Sequence, residues 1–297
     1  MMMNKTEIIS LLKLLEDPDE NVYQVIKDKI IDNKEMFKIY LENYHSLSID
    51  HLALERSESI LDEIFFYEFR NELIKYLDDP DSDLLQGSLL LETYFNREVD
   101  INQLKDNCRE IIQSVWLEFN EQLTVIEKVK IINRILFRVY NFKKYPVGEF
   151  RQEYLSFTNC ISYRKYISPT IALLYCIIAE QTKVPLYSLD IPGIFLLGYL
   201  NKEVSKAIGN ENSNGIVFYL HPYDEGELVN HKVIEKYLKM QRLHESLDDI
   251  EIRSYKDFLF YLFELRIMVL KQSDKDSFEV KYSDEVLKLY NRKRNIL

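Results

Sequence analysis

Glycine and proline are scarce, with seven of each in 297 residues. Few positions are therefore available for tight turns or left-handed backbone, and long helices are expected over many short strands. Cysteine is nearly missing as well. Cys108, Cys160 and Cys176 form an odd set without metal-ligand spacing, which suits reduced thiols in a cytoplasmic setting and gives no reason to expect bound zinc. No apolar run approaches the length of a membrane span, and residues 1–6 lack a basic stretch followed by an apolar one, so neither membrane insertion nor secretion is expected. Positive charge is in deficit: 38 Lys and Arg stand against 49 Asp and Glu, a formal net charge of −11. Such a field repels phosphate backbones and anionic headgroups, and nucleic acid is not an expected partner.

Hydrophobic residues at 46% and charged residues at 29% describe an acidic, folded chain long enough for more than one core. Ile8, Leu12 and Leu15 recur at helical spacing, Asp17-Pro18-Asp19 breaks the pattern, and Val22, Val25, Ile26 and Ile30 resume it. With further helical segments over 36–44 and 54–77, residues 1–78 are expected to form a helical region, built either of HEAT-like units or as an unrelated helical bundle. The turn 78–82 marks a boundary, with Ser82 or Asp83 able to cap the next helix. Three amphipathic helices follow, one lined by Leu84, Leu85, Leu89 and Tyr94, one by Leu104, Cys108, Ile111 and Val115, and one by Val129, Ile132 and Leu136. Residues 142–166 lose this periodicity and read as a packed loop with short helices. Residues 170–182 are apolar around nearly the whole circumference, which predicts a buried central helix.

Strands are expected at 186–191, 194–200 and 216–220, with a turn at Pro192-Gly193 and a polar loop over 201–215 marked by Asn210, Asn212 and Asn214. If the last two strands pair with Leu200 opposite Gly215, Ile194 falls opposite His221. Helices at 231–239, 255–271 and 283–292 complete the chain. The fold class is thus α+β and predominantly helical, divided into a helical region at 1–78, a core at 79–245 and a C-terminal extension at 246–297.

The one constellation that suggests chemistry is Ser168-Pro169-Thr170 at the start of the buried helix. With Ser168 as N-cap and Pro169 as first helical residue, the Thr170 hydroxyl lies near the positive end of the helix dipole. A thiol there would be activated; a hydroxyl gains far less.

Several short stretches carry a resemblance. Residues 81–90, DSDLLQGSLL, resemble D-x-D-L-L-E-G-A-L-L. Residues 116–120, WLEFN, resemble W-L-E-L-N, and Asn133, Leu136-Phe137 and Asn141-Phe142 resemble N-x-x-L-F-x-x-x-G-F. Residues 166–175 are similar to a G-x-P-x-S-L-x-x-x-Y helix start with the proline one place later. Val184-Pro185-Leu186 resembles G-[IL]-P-[IV], residues 191–196, IPGIFL, resemble L-P-G-H-F-L, and residues 221–226, HPYDEG, resemble D-P-F-D-G-G. In order and spacing these resemble the SirB-like branch of the transglutaminase-like family. The resemblance implies a papain-related core in which a nucleophile at a helix start faces a His on one strand and an Asp or Asn on its neighbour. Carried over by position, these places are held by Thr170, Ile194 and His221. Tyr166 replaces the family's glycine, and its D-P-x-N-S loop is not recognisable near 154–158.

An aliphatic side chain can neither accept a proton nor orient a partner, so the substitutions predict a retired triad. The expected function is a non-catalytic interaction or scaffold protein with a protein or peptide partner. Two alternatives remain: a residual amide or peptide hydrolase or acyltransferase working through Thr170 and His221, and a small-ligand or peptide-binding regulator using the former cleft. His221, Asp224, Glu227 and His231 match no zinc spacing, so no metal and no cofactor are expected. Cys176, mid-helix among apolar residues, reads as packing, whereas Cys160 falls in the irregular segment, where its exposure is left open, and has no His near it in sequence.

Overall fold

The computed structural model describes residues 4–146, 151–191, 193–208, 214–241 and 250–294. Pro192, Asn210, Asn212 and the expected boundary at 245 lie outside them. The chain divides into two compact units, Met1–Lys75 and Tyr76–Leu297, and its secondary structure is α+β with helix dominant.

In the first unit, α1 (Lys5–Lys13), α2 (Glu20–Asp32), α3 (Lys34–Leu47) and most of α4 (His51–Asp78) form a helical bundle. The apolar stripes read from the sequence meet inside it: Ile8, Leu12 and Leu15 pack with Ile26, Ile30, Phe37, Leu41, Ile60 and Ile64. The Asp17-Pro18-Asp19 break serves two purposes. Asp19 Oδ1 accepts from the Asn21 N–H at 2.8 Å to cap α2, and Arg56 of α4 donates to the carbonyls of Leu15 and Asp17 and pairs with Glu20 at 3.1 Å.

In the second unit, Asp83 caps α5 (Leu84–Phe95) in a capping box with Gln86. Asp100 caps α6 (Ile101–Trp116), and a Thr124–Glu127 box opens α7 (Val125–Arg134), which relaxes into a π-helical turn at Ile135–Val139. The aperiodic segment after it contains β1 (Lys143–Lys144), α8 (Phe157–Tyr163) and β2 (Lys165–Tyr166), the two strands being parallel. Then comes α9 (Ser168–Gln181), in which every residue from Pro169 to Ala179 is buried. At about 1.5–3 kcal/mol for each large apolar side chain removed from water, this helix is the centre of the core.

The sheet is antiparallel in the order β6-β5-β4-β3-β7, with β3 Leu186–Asp190, β4 Leu197–Leu200, β5 Ile216–His221, β6 Glu227–Val229 and β7 Glu251–Ile252. Alternate side chains face opposite ways. Leu189, Leu196 and Tyr219 cluster with Ile234 and Leu238 of α11 (His231–Gln241), while α9 packs on β3. Two further helices, α12 (Tyr255–Ser273) and α13 (Phe278–Arg294), follow β7.

The hairpin register differs from the expectation. Leu200 faces Ile216, and beyond a bulge Tyr199 faces Phe218 and Leu197 faces Leu220. The cause lies in the connection, where the stretch expected to be loop forms a short helix, α10 (Lys202–Ala207), capped by Asn201. The Asn201 N–H then takes the Gly215 carbonyl at 2.9 Å, so Gly215 meets Asn201 and not Leu200. Extended by one place, this register sets Leu196 across from His221. Ile194 precedes the first residue of β4, and the register pairs it with no residue of β5.

Candidate functional site

The start of α9 differs by one residue from the sequence reading. Ile167 is the N-cap, and Ser168, Pro169 and Thr170 occupy the first three helical places. Thr170 therefore does the work of a capping-box partner. Its Oγ1 accepts from the Ile167 N–H at 3.2 Å and donates to the Ile167 carbonyl at 3.1 Å, and the residue is 3% exposed. A hydroxyl used in both directions by its own helix start has little left to offer a substrate.

Ile194 is partly buried and packs against the cluster shared with α11. His221 ends β5 and turns back on its own loop, with Nδ1 2.8 Å from Asp224 Oδ2. The Asp224 carboxylate also receives Lys144 Nζ at 2.6 Å, and Lys144 and His221 together hold it below the usual carboxylate range. Among the described residues, no hydrogen bond joins Thr170 to His221. Thr170 and His221 each hydrogen-bond within their own turn, while α9 packs on the loop Pro222–Asp224 that follows His221. His231 hydrogen-bonds with the Ile216 carbonyl at 3.1 Å, and no cluster of three or more metal-binding side chains is found among the described residues.

Other residues from the same stretches do converge. Tyr175 of α9 donates its hydroxyl to Asn133 Oδ1 at 2.6 Å. Asn133 of α7 in turn donates to the Gly226 carbonyl at 2.9 Å. Gly226 has φ +73, and a Cβ there would collide with the Asn133 and Tyr175 side chains. Three short motifs separated by some ninety residues of chain therefore meet at one point, where a side chain at the turn has no room.

The family sequence model described as "Transglutaminase-like superfamily" matches residues 102–259. The chain belongs to that superfamily. No curated protein and no solved structure among those compared matches it.

In this transglutaminase-like core, the side of α9 bearing Thr170 looks onto a small cavity of about 40 Å³, walled by α5, α12 and the residues leading into α8. That volume has room for a few water molecules. Its polar wall is a buried ion pair that sequence reading did not single out. Glu92 of α5 receives Arg266 of α12 at 2.6 Å. It also accepts from the Ser156 hydroxyl at 3.0 Å, the Thr158 hydroxyl at 2.7 Å, and the N–H groups of Phe157 and Thr158 at 3.1 Å each. Burial opposes its charge, yet Arg266 and these donors outweigh burial and hold the carboxyl below its ordinary value. One signal was available: Glu92 follows Leu85 and Leu89 at helical spacing, a lone acid on a buried face.

Cys160 answers a point the sequence leaves open. It lies in α8 and is buried, with its thiol beside Thr170 and pushed up to about 12 by burial. A sulfur does stand beside the old nucleophile position, but as a protonated thiol. Cys108 and Cys176 are buried too, with thiols raised by burial.

Proposed function

We propose that this chain is a non-catalytic member of the superfamily that acts by binding a protein or peptide, the inherited cysteine-type chemistry having been retired at Thr170, Ile194 and His221. The observation that carries the reading is the engagement of the Thr170 hydroxyl by Ile167 at 3.2 and 3.1 Å in a buried place. A nucleophile needs a base within hydrogen-bond reach, about 2.6–3.2 Å or one water away. Here the imidazole of His221 is committed to Asp224, and Ile194 offers no lone pair. The cavity of about 40 Å³ beside Thr170 is lined by neither Ile194 nor His221, so it brings no base to the hydroxyl. The SirB-like branch remains the nearest description of the motif order, and a cytoplasmic setting suits three buried free thiols.

The test is a panel of amide, ester and acyl-transfer substrates turned over by the purified protein and by its T170A variant. Hydrolysis or transfer at background rates in both is the expected result. Turnover at enzymatic speed that disappears in T170A would overturn the reading.

A further inference from the structure

The groove beside α6 combines free positive charge with the chain's one tryptophan. Lys105, Arg109, Ile112 and Trp116 recur at intervals of four, three and four residues and so share one helix face. With Leu85 and Leu89 of α5 they line a groove of about 390 Å³. Trp116 is 63% exposed, and Leu117 beside it 67%. Cations should be readily paired in a chain with 49 acidic and 38 basic side chains. The Lys105 and Arg109 side chains nevertheless make no ion pair or hydrogen bond among the described residues. Asp83 also lines the groove and accepts from the Gln86 N–H at 2.7 Å and from Gln181 Nε2 at 2.9 Å; both donors are neutral, so the lining carries two cations against one carboxylate.

We propose that this groove docks a short peptide segment bearing one or two carboxylates and an apolar or aromatic side chain; the proposal rests on the non-catalytic binding reading and gives it a place. Lys105 and Arg109 stand one helical turn apart, about 6 Å along the axis, and Trp116 about 10 Å further on. Three extended residues span that second distance. The carboxylates meet the two cations, Arg109 with the bidentate geometry a guanidinium favours, while the apolar side chain covers Ile112 and the Trp116 ring. Charge chooses among occupants. A net charge of −11 repels a long polyanion in proportion to the charge it carries, whereas a segment with two carboxylates responds mainly to the cations within a Debye length.

Trp116 is the single tryptophan, so its emission reports on this groove alone. The probe is an uncharged-ended hexapeptide with two glutamates, two serines, a leucine and a phenylalanine in that order; its counterpart has two lysines in place of the glutamates. Titrating the full chain with the glutamate peptide is expected to give a saturable blue shift of Trp116 emission, and the lysine peptide none. The doubly charge-reversed variant, K105E with R109E, is expected to bind about tenfold or more weakly while melting at the wild-type temperature. T170A is expected to bind as wild type does. No saturable shift into the millimolar range, an equal shift with the lysine peptide, or tighter binding of a single-stranded oligonucleotide than of the glutamate peptide would each overturn the proposal. Thr170-dependent turnover would instead overturn the non-catalytic reading and leave these titrations standing, so the two failures are distinguishable.

Discussion

Arg266 reaches from α12 to set its guanidinium 2.6 Å from the Glu92 carboxylate of α5, and that carboxylate in turn caps α8 through Phe157 and Thr158. Three helices distant in sequence are fastened at one buried charge. Removing one member leaves the other uncompensated in the interior, so R266M is expected to lower stability by about 3–5 kcal/mol. Urea denaturation monitored by circular dichroism measures it, and a loss below about 1 kcal/mol would contradict a buried, structural pair.

The same carboxylate sets a pH dependence. Glu92 has a folded-state value below the 4.5 of an unperturbed side chain. Its contribution is therefore fully present above about pH 4.5 and is lost as pH falls through the lower folded value. The stability gap between wild type and E92Q should be widest near pH 7 and shrink steadily below pH 4.5 in denaturation series. A gap that grows as the solution is acidified would refute the assignment.

Gly87 and Tyr76 make a tight contact with opposite consequences on its two sides. A Cβ on Gly87 would collide with the Tyr76 ring and with Leu259. G87A is expected to destabilise, because overpacking costs about 1–3 kcal/mol against about 1 kcal/mol gained in helix propensity. The Tyr76 hydroxyl is buried without a hydrogen-bond partner, so Y76F should be neutral or more stable by about 1 kcal/mol. Thermal melts of both variants would show it, and a stabilised G87A would mean the ring is free to move aside.

The thiols should be silent. Burial raises all three above their ordinary value, and only thiolates react at useful rates. A thiol-reactive chromophore at pH 7.5 is expected to label none of Cys108, Cys160 and Cys176 in the native protein and all three in denaturant. Rapid labelling of Cys160 under native conditions would reopen the question of a sulfur nucleophile beside Thr170.

Period and composition disclosed the helices well. The apolar stripe of α6 and the all-round apolar surface of α9 occupy the places their spacing indicated, because burial acts on each helix through its own sequence. Register was less legible. The hairpin slipped because a stretch of Lys and Glu within the expected loop closed into α10, and Gly215 was then claimed by Asn201. Such a choice is made between two segments and leaves no mark in either alone. At the candidate site, Thr170 was located correctly at a helix start, but which atoms would occupy its hydroxyl depended on a cap one residue earlier than Ser168. The Glu92–Arg266 pair lay beyond reach for a similar reason, since its members stand on helices separated by most of the unit.

The superfamily match ends at residue 259 and begins at 102, inside α12 at one end and inside α6 at the other. Glu92 and Arg266 both fall outside it. The stretch that the family model covers is therefore held in part by residues that flank it. A fragment trimmed to the shared stretch would expose the N–H groups of Phe157 and Thr158 and one wall of the chamber at Thr170, and would have no means of closing either.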